Sequence, residues 1–201
     1  MDTSPSVTLR NIKHAVFASH ETHCYEATVL LDGKRVCKVE NDGRGGCDNH
    51  YPFHGQSKES FAESYKSLKT ACLATLKDDD PEMYAMLTNR SLTVTEFDTG
   101  DAISTHDFTF GPDEVGSSVI DIVVGHFLNR HLAKKELKQL MRSKIIIVEK
   151  STDDVYEVKM RPTEENLRYV KVKYGADHLI LNEADIKEQL YYWLKKTKGM
   201  L

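Results

Sequence analysis

The chain has no excess of positive charge: 27 Lys and Arg stand against 31 Asp and Glu, for a formal charge of −4. A dedicated nucleic-acid binder presents a basic surplus on at least one face, so DNA and RNA are not expected partners. No apolar run approaches the roughly 18 to 20 residues that cross a bilayer. The opening Met1-Asp2-Thr3-Ser4-Pro5-Ser6 lacks both the basic and the apolar region of a secretory leader. These absences predict a cytoplasmic protein with no membrane partner. Cysteine is scarce as well. In a chain read as cytoplasmic, Cys24, Cys37, Cys47 and Cys72 are expected to be reduced thiols and not a disulfide scaffold. Internal repeats and low-complexity tracts are also missing.

The composition itself is that of an ordinary globular protein, 40% hydrophobic and 29% charged over 201 residues. That length buries a real core as one large domain or two small ones. Val7 to Phe17, Tyr25 to Leu31 and Arg35 to Val39 read as strands. Asp32-Gly33 supplies the two positive φ values of a type I′ hairpin turn. A helix follows from Ser60, with Phe61, Tyr65, Leu68, Cys72 and Leu76 on one stripe and Ser60 with Glu63 as a capping box. Asp78-Asp79-Asp80-Pro81 ends it, and Met83 to Leu87 reads as packing material or a small association patch. Leu92 to Phe97 and His106 to Phe110 are strand candidates around a Thr99-Gly100-Asp101 turn, and Gly111-Pro112 closes the region.

Asp113 to Met141 has the period of one long helix or two in succession. Ile145 to Val148 and Val155 to Met160 form a hairpin around a turn at Ser151 to Asp154. Pro162 to Tyr174 is a helix stopped by Gly175, and His178 to Leu181 is a strand. Asn182 stands where it can cap a last helix carrying Ile186, Leu190, Trp193 and Leu194. Strands and helices mix without strict βαβ alternation, which predicts an α+β fold with largely antiparallel sheets. Two lobes are expected, a β-rich one over 1–112 and a helix-rich one over 113–201, with one continuous domain as the alternative.

The segment densest in ligand-holding groups is Glu40 to Pro52. Gly43, Gly45 and Gly46 permit sharp turns that aim several N–H groups at an anion. Arg44 adds a planar fork for phosphate or carboxylate. Asn41, Asp42 and Asn49 offer polar recognition, and Tyr51 a stacking face. The spacing is neither G-x-x-x-x-G-K-[ST] nor G-x-G-x-x-G. A tight loop whose Asx side chains bond their own backbone is the structural alternative.

Two other chemistries compete with this one. His20, His23 and Cys24 with Cys47, His50 and His54 are potential zinc donors, but histidines of the surface or core are the preferred reading, so no metal ligand is assigned. Cys47 beside Arg44 and His50 is a candidate nucleophile without a recognisable partner. His106 and Asp107 are adjacent in a strand and point to opposite faces. His126 lies on an apolar helix stripe, and Lys134-Lys135-Glu136-Leu137-Lys138 reads as a solvated face.

The string Val39-Glu40-Asn41-Asp42-Gly43-Arg44-Gly45-Gly46-Cys47-Asp48-Asn49, after the hairpin Leu31-Asp32-Gly33-Lys34, resembles uncharacterised bacterial and phage proteins with an N-D-G-x-G-G loop after a β-hairpin. The resemblance covers mainly residues 7–55. It implies a phage-associated context and favours a binding role over catalysis.

The sequence therefore predicts a protein that binds or sequesters a small phosphorylated or nucleotide-like ligand at Asn41, Asp42, Gly43, Arg44, Gly45, Gly46, Asn49 and Tyr51. No cofactor is assigned, and a homo-oligomer is allowed. The alternatives are an enzyme using Cys47, His50 or a metal, and a protein-protein interaction module.

Overall fold

A computed structural model describes residues 5–95, 102–109 and 116–198. The fold is α+β, with antiparallel sheets. The chain divides into two compact units, Met1–Phe127 and Leu128–Leu201. The lobe boundary expected at 112/113 lies outside the described residues.

In the first unit, β1 (Val7–His14), β2 (Cys24–Leu31), β3 (Lys34–Asp42) and β4 (Asn49–Tyr51) form a sheet in the order β1-β2-β3-β4. The β2–β3 hairpin turns through Asp32 at φ +50° and Gly33 at φ +77°, the pair of positive values that this turn demands. Direct cross-strand partners share a face. The pairs Tyr25 with Asn41, Ala27 with Val39 and Val39 with His50 therefore put Tyr25, Asn41 and His50 on the same face as the buried Ala27 and Val39. The opposite face carries Lys13, Glu26, Lys38 and Glu40 as a ladder of ion pairs.

Helix α1 (Lys58–Asp79) packs on β1 and β3, and Leu68, Ala71, Cys72, Leu73 and Leu76 are buried along it. Each fully buried leucine contributes about 1.5–3 kcal/mol. The helix starts one turn before the expected cap: the Ser57 hydroxyl accepts from the Ser60 N–H, and nothing in Lys58-Glu59-Ser60 breaks the turn. Asp80 then caps α2 (Pro81–Thr88) by accepting from Met83, so the segment read as packing material or an association patch lies in a helix with proline in its first turn. Strands β5 (Asn89–Thr95) and β6 (Ala102–Thr109) form an antiparallel ribbon. Phe97, Phe110, the Thr99-Gly100-Asp101 turn and Gly111-Pro112 lie outside the described residues.

Helix α3 (Ser118–Leu140) follows, and the division between the units falls within it. In the second unit β7 (Ile145–Glu149) is central, between β8 (Asp154–Val158) and β9 (His178–Ile180). Its central position explains the uninterrupted apolar run: Ile146 and Val148 pack with Ala133, Leu137, Leu181, Leu190 and Trp193, while Ile145 and Ile147 pack with Val170 and Ile180. Helix α4 (Glu164–Tyr174) is capped by Thr163 and ends at Gly175 with φ +70°.

Helix α5 (Ile186–Lys198) is capped by Asp185, whose Oδ1 accepts from Lys187 and Glu188. The expected cap, Asn182, is engaged elsewhere. Its Oδ1 accepts from the Ile146 N–H at 2.8 Å, and its amide donates to the carbonyls of Met141 and Lys144. Those main-chain groups at the start of β7 engage the half-buried amide, and Asp185 satisfies the helix end.

Candidate functional site

The glycine-rich loop satisfies itself. Gly43, Gly45 and Gly46 have φ of +82°, +91° and +94°, the left-handed region that glycine alone enters freely. The Gly43 N–H donates to Asn41 Oδ1 at 2.9 Å, the Arg44 N–H to Asp42 Oδ1 at 3.1 Å, and the Gly45 N–H to Thr22 Oγ1 at 3.3 Å. The Gly43 carbonyl accepts from the N–H groups of His20, Glu21 and Thr22. The donors that an anion would need at these three positions are thus used within the loop.

Asn41 is buried and fully engaged, accepting from the Thr22 hydroxyl and donating to the Gly46 carbonyl and to Asp48 Oδ1. Arg44, Asp42, Gly46 and Asn49 are exposed. Tyr51 is also exposed, and its hydroxyl bonds the Glu40 carboxylate, which raises its pKa. A hollow of about 610 Å³ borders Asn41, Asp42 and Asn49. Its wall carries the carboxylates of Glu26, Glu40 and Asp42 against the one ammonium of Lys13, a net charge unsuited to phosphate.

The loop also positions the residues that come after it. Asp48 receives the Asn41 amide at 3.0 Å on Oδ1 and the Tyr25 hydroxyl on Oδ2. Burial and then this carboxylate push the Tyr25 phenol well above its ordinary pKa, so it remains a donor. Two residues on, pairing of β4 with β3 turns His50 inward beside Val39. The His50 side chain is 8% exposed. Its Nδ1 lies 2.6 Å from the hydroxyl of Tyr65 on α1, and its Nε2 faces Oδ1 of Asp121, in the first turn of α3, at 3.3 Å. A carboxylate at a helix N-terminus is favourably placed against the helix dipole, and this one also bonds the main-chain N–H of Asp48.

The Nε2–Oδ1 approach is close but lacks the alignment of a hydrogen bond, and neither atom has another partner. Buried polar atoms left in this state cost about 1–3 kcal/mol each. Burial lowers the His50 pKa, which keeps the imidazole neutral. Burial, and then the charge of Asp48, push the Asp121 carboxyl up to about 6. One donor atom from each of Asp48, His50 and Asp121 lies within 4.8 Å of the others.

An ion about 2.0–2.2 Å from an imidazole nitrogen and a carboxylate oxygen, in tetrahedral array, separates them by about 3.3–3.5 Å. The His50–Asp121 spacing already has that value, and the Asp48 donor atom lies within 4.8 Å of both. The surroundings also suit a metal. In the tautomer with Tyr65 accepting Nδ1–H, the Nε2 lone pair is directed at Asp121, and Asn41 with Tyr25 fixes the Asp48 carboxylate, the outer-shell pattern of metal ligands.

Of the eight ligand-binding residues selected from sequence, Asn41 touches this centre directly, through Asp48. As sequence, His50 reads only as a reactive or zinc residue of other groupings; Cys47 is exposed and stands outside the three-residue cluster. Asp48 lies inside the glycine-rich segment but carries no distinguishing signal there. Asp121 lies far along the chain on a helix read for its apolar stripe, and no local pattern connects it to β4. Among the described residues no helix is long and apolar enough to cross a membrane. Comparison of the chain with family models, curated proteins and solved structures gives no match.

Proposed function

We propose that the unit Met1–Phe127 binds a divalent transition-metal ion, Zn²⁺ or Mn²⁺, through Asp48, His50 and Asp121. The observation that carries this reading is the pair of buried, unpartnered atoms, His50 Nε2 and Asp121 Oδ1, facing each other 3.3 Å apart beside a second carboxylate. A cation answers both orphan lone pairs and the carboxylate repulsion at once. Mixed imidazole and carboxylate donors suit zinc or manganese better than a thiolate-seeking ion. Three protein donors leave coordination positions for water or a ligand oxygen, so a small phosphorylated ligand of the kind expected from the sequence would attach through the ion in place of the loop amides.

The test is thermal unfolding and calorimetric titration of chelator-treated protein with Zn²⁺, Mn²⁺ and Mg²⁺. Saturating ion at about a hundred times its Kd stabilises the folded state by about 2.7 kcal/mol. Asp121→Asn and His50→Ala remove that gain. An unchanged midpoint in the parent chain, or the same gain in both variants, overturns the reading.

A further inference from the structure

A second site lies in the unit Leu128–Leu201 and does not depend on the metal centre. Helices α3 and α5 meet there through Ala133, Leu137, Leu190 and Trp193, and the Trp193 indole N–H donates to Glu136 at 3.2 Å. Along this seam is a hollow of about 480 Å³, lined by Lys134, Lys138, Met141, Arg142, Ile186 and Gln189. Met141 and Ile186 are its apolar lining. Ile186, at the first position of α5, is 43% exposed, a large aliphatic surface left open to water. The Gln189 amide already donates to the carbonyls of Leu181 and Ala184, so the polar capacity of the wall resides in its cations.

Several cations of the unit have carboxylate partners. Lys144 pairs with Glu157, Arg168 with Glu164, Lys171 with Glu183 and Lys195 with Asp153. Among the described residues, Lys134, Lys138 and Arg142 have no carboxylate partner, and no acidic residue lines the hollow. Lys134 and Lys138 are a helical turn apart on α3, and Arg142 follows at the same interval just past its end, so the three charges line one side of the cavity. In a chain whose formal charge is −4, three uncompensated cations around an apolar cavity of small-molecule size form a local feature of opposite sign.

We propose that this hollow binds a small amphipathic anion, a single carboxylate or phosphate head on an unbranched apolar body. The head sits against Lys138 and Arg142, and the body covers Met141 and Ile186. Arg142 offers a planar fork to the head, and the lysine stems extend the apolar wall. The Lys134 to Lys138 run, which as sequence reads as a solvated helix face, thereby acquires a specific ligand class.

The experiment is calorimetric titration of the full chain with decanoate and octyl phosphate, beside a neutral octyl glucoside and inorganic phosphate. Both anionic amphiphiles are expected to bind one-to-one, with the two controls at least tenfold weaker. Lys138→Gln is an exposed substitution, and the folded state of the variant is verified by circular dichroism. It weakens both amphiphiles about tenfold, the loss of one charge-assisted contact, and Ile186→Ser weakens them while leaving the head contacts in place. Equal binding of the glucoside makes the site merely apolar, and equal binding of inorganic phosphate makes it a bare anion site. Either result, or unchanged affinity in Lys138→Gln, overturns the proposal.

Discussion

The His50 imidazole and the Tyr65 phenol meet at 2.6 Å, Nδ1 to Oη, and this contact ties the short strand β4 to helix α1. Burial pushes the Tyr65 hydroxyl up to about 12, so it keeps its proton at neutral pH. In the tautomer that donates Nδ1–H to the phenol oxygen, the lone pair of Nε2 is held toward Asp121. One hydrogen bond thus decides which nitrogen faces the centre.

Tyr65→Phe tests that role. The substitution strands Nδ1 in a buried site and costs about 1–3 kcal/mol in chemical denaturation. It also weakens Zn²⁺ or Mn²⁺ binding by about tenfold or more, the usual consequence of losing an outer-shell partner. A stability loss of this size with metal affinity unchanged assigns the phenol a packing role only.

The metal-free protein carries a pH signature. Asp121 titrates near 6 in the fold because of burial and the Asp48 charge, against an ordinary value of 3.8. The native state therefore holds a proton that the unfolded chain has lost. Its contribution is complete below 3.8 and disappears as pH rises through about 6. His50, lowered by burial, acts in the opposite sense, contributing above 6.5 and losing that contribution as pH falls through its folded value. Comparing Asp121→Asn with the parent chain isolates the first effect. The variant gains relative stability between about pH 4 and 6, by on the order of 2 kcal/mol, and the difference stays level above that range. Denaturant titrations of chelated protein across this range check it, and a difference independent of pH contradicts it.

The loop glycines separate backbone strain from steric conflict. A Cβ at Gly43 would stand 2.2 Å from the Ala18 carbonyl oxygen and 2.8 Å from Cys24 Cβ, whereas one at Gly46 meets nothing within 4 Å. Both positions have positive φ. Gly46→Ala is expected to cost about 1 kcal/mol of left-handed strain, and Gly43→Ala about 2–4 kcal/mol, since the 18–22 segment must also retreat. Thermal midpoints of the two variants give the order, and equal losses contradict the packing described at Gly43.

Asn182→Ala removes the clip on β7. It leaves the Ile146 N–H and the Met141 and Lys144 carbonyls without their side-chain partner, at a cost of about 2–3 kcal/mol. Hydrogen exchange is the suitable readout, because the effect concentrates at the Ile146 amide. Protection of that amide equal to the parent chain rules the clip out.

Read as sequence, the β-meander, the Asp32-Gly33 hairpin, the helix within Pro162 to Tyr174 and the strand around Ile145 to Val148 are all legible. Each is specified by neighbours in the chain: turn residues with positive φ, side-chain caps and short apolar periods. Errors at helix starts have the same local origin. Ser57 and Ser60 are both competent caps, as are Asn182 and Asp185, and the choice depends on which other groups require those side chains.

The candidate centre has no such local code. The density of polar groups and glycines points to Gly43, Arg44 and Gly45, but a glycine-rich loop with free donors and one with donors already consumed have the same letters. Asn41 and Asp42 consume two of these donors locally, and the third, at Gly45, goes to Thr22, which the pairing of β2 with β3 brings in. Asp48, His50 and Asp121 converge for the same kind of reason: strand register turns His50 inward, the loop directs the Asp48 carboxylate, and α3 delivers its first turn beside them. Composition and local pattern determined by themselves that the chain folds as α+β with antiparallel sheets, because short-range backbone preferences and apolar periodicity suffice for that. The tertiary structure alone decided where unsatisfied polar atoms meet, because a partner distant in the chain acts on a side chain only after the backbone has brought the two together.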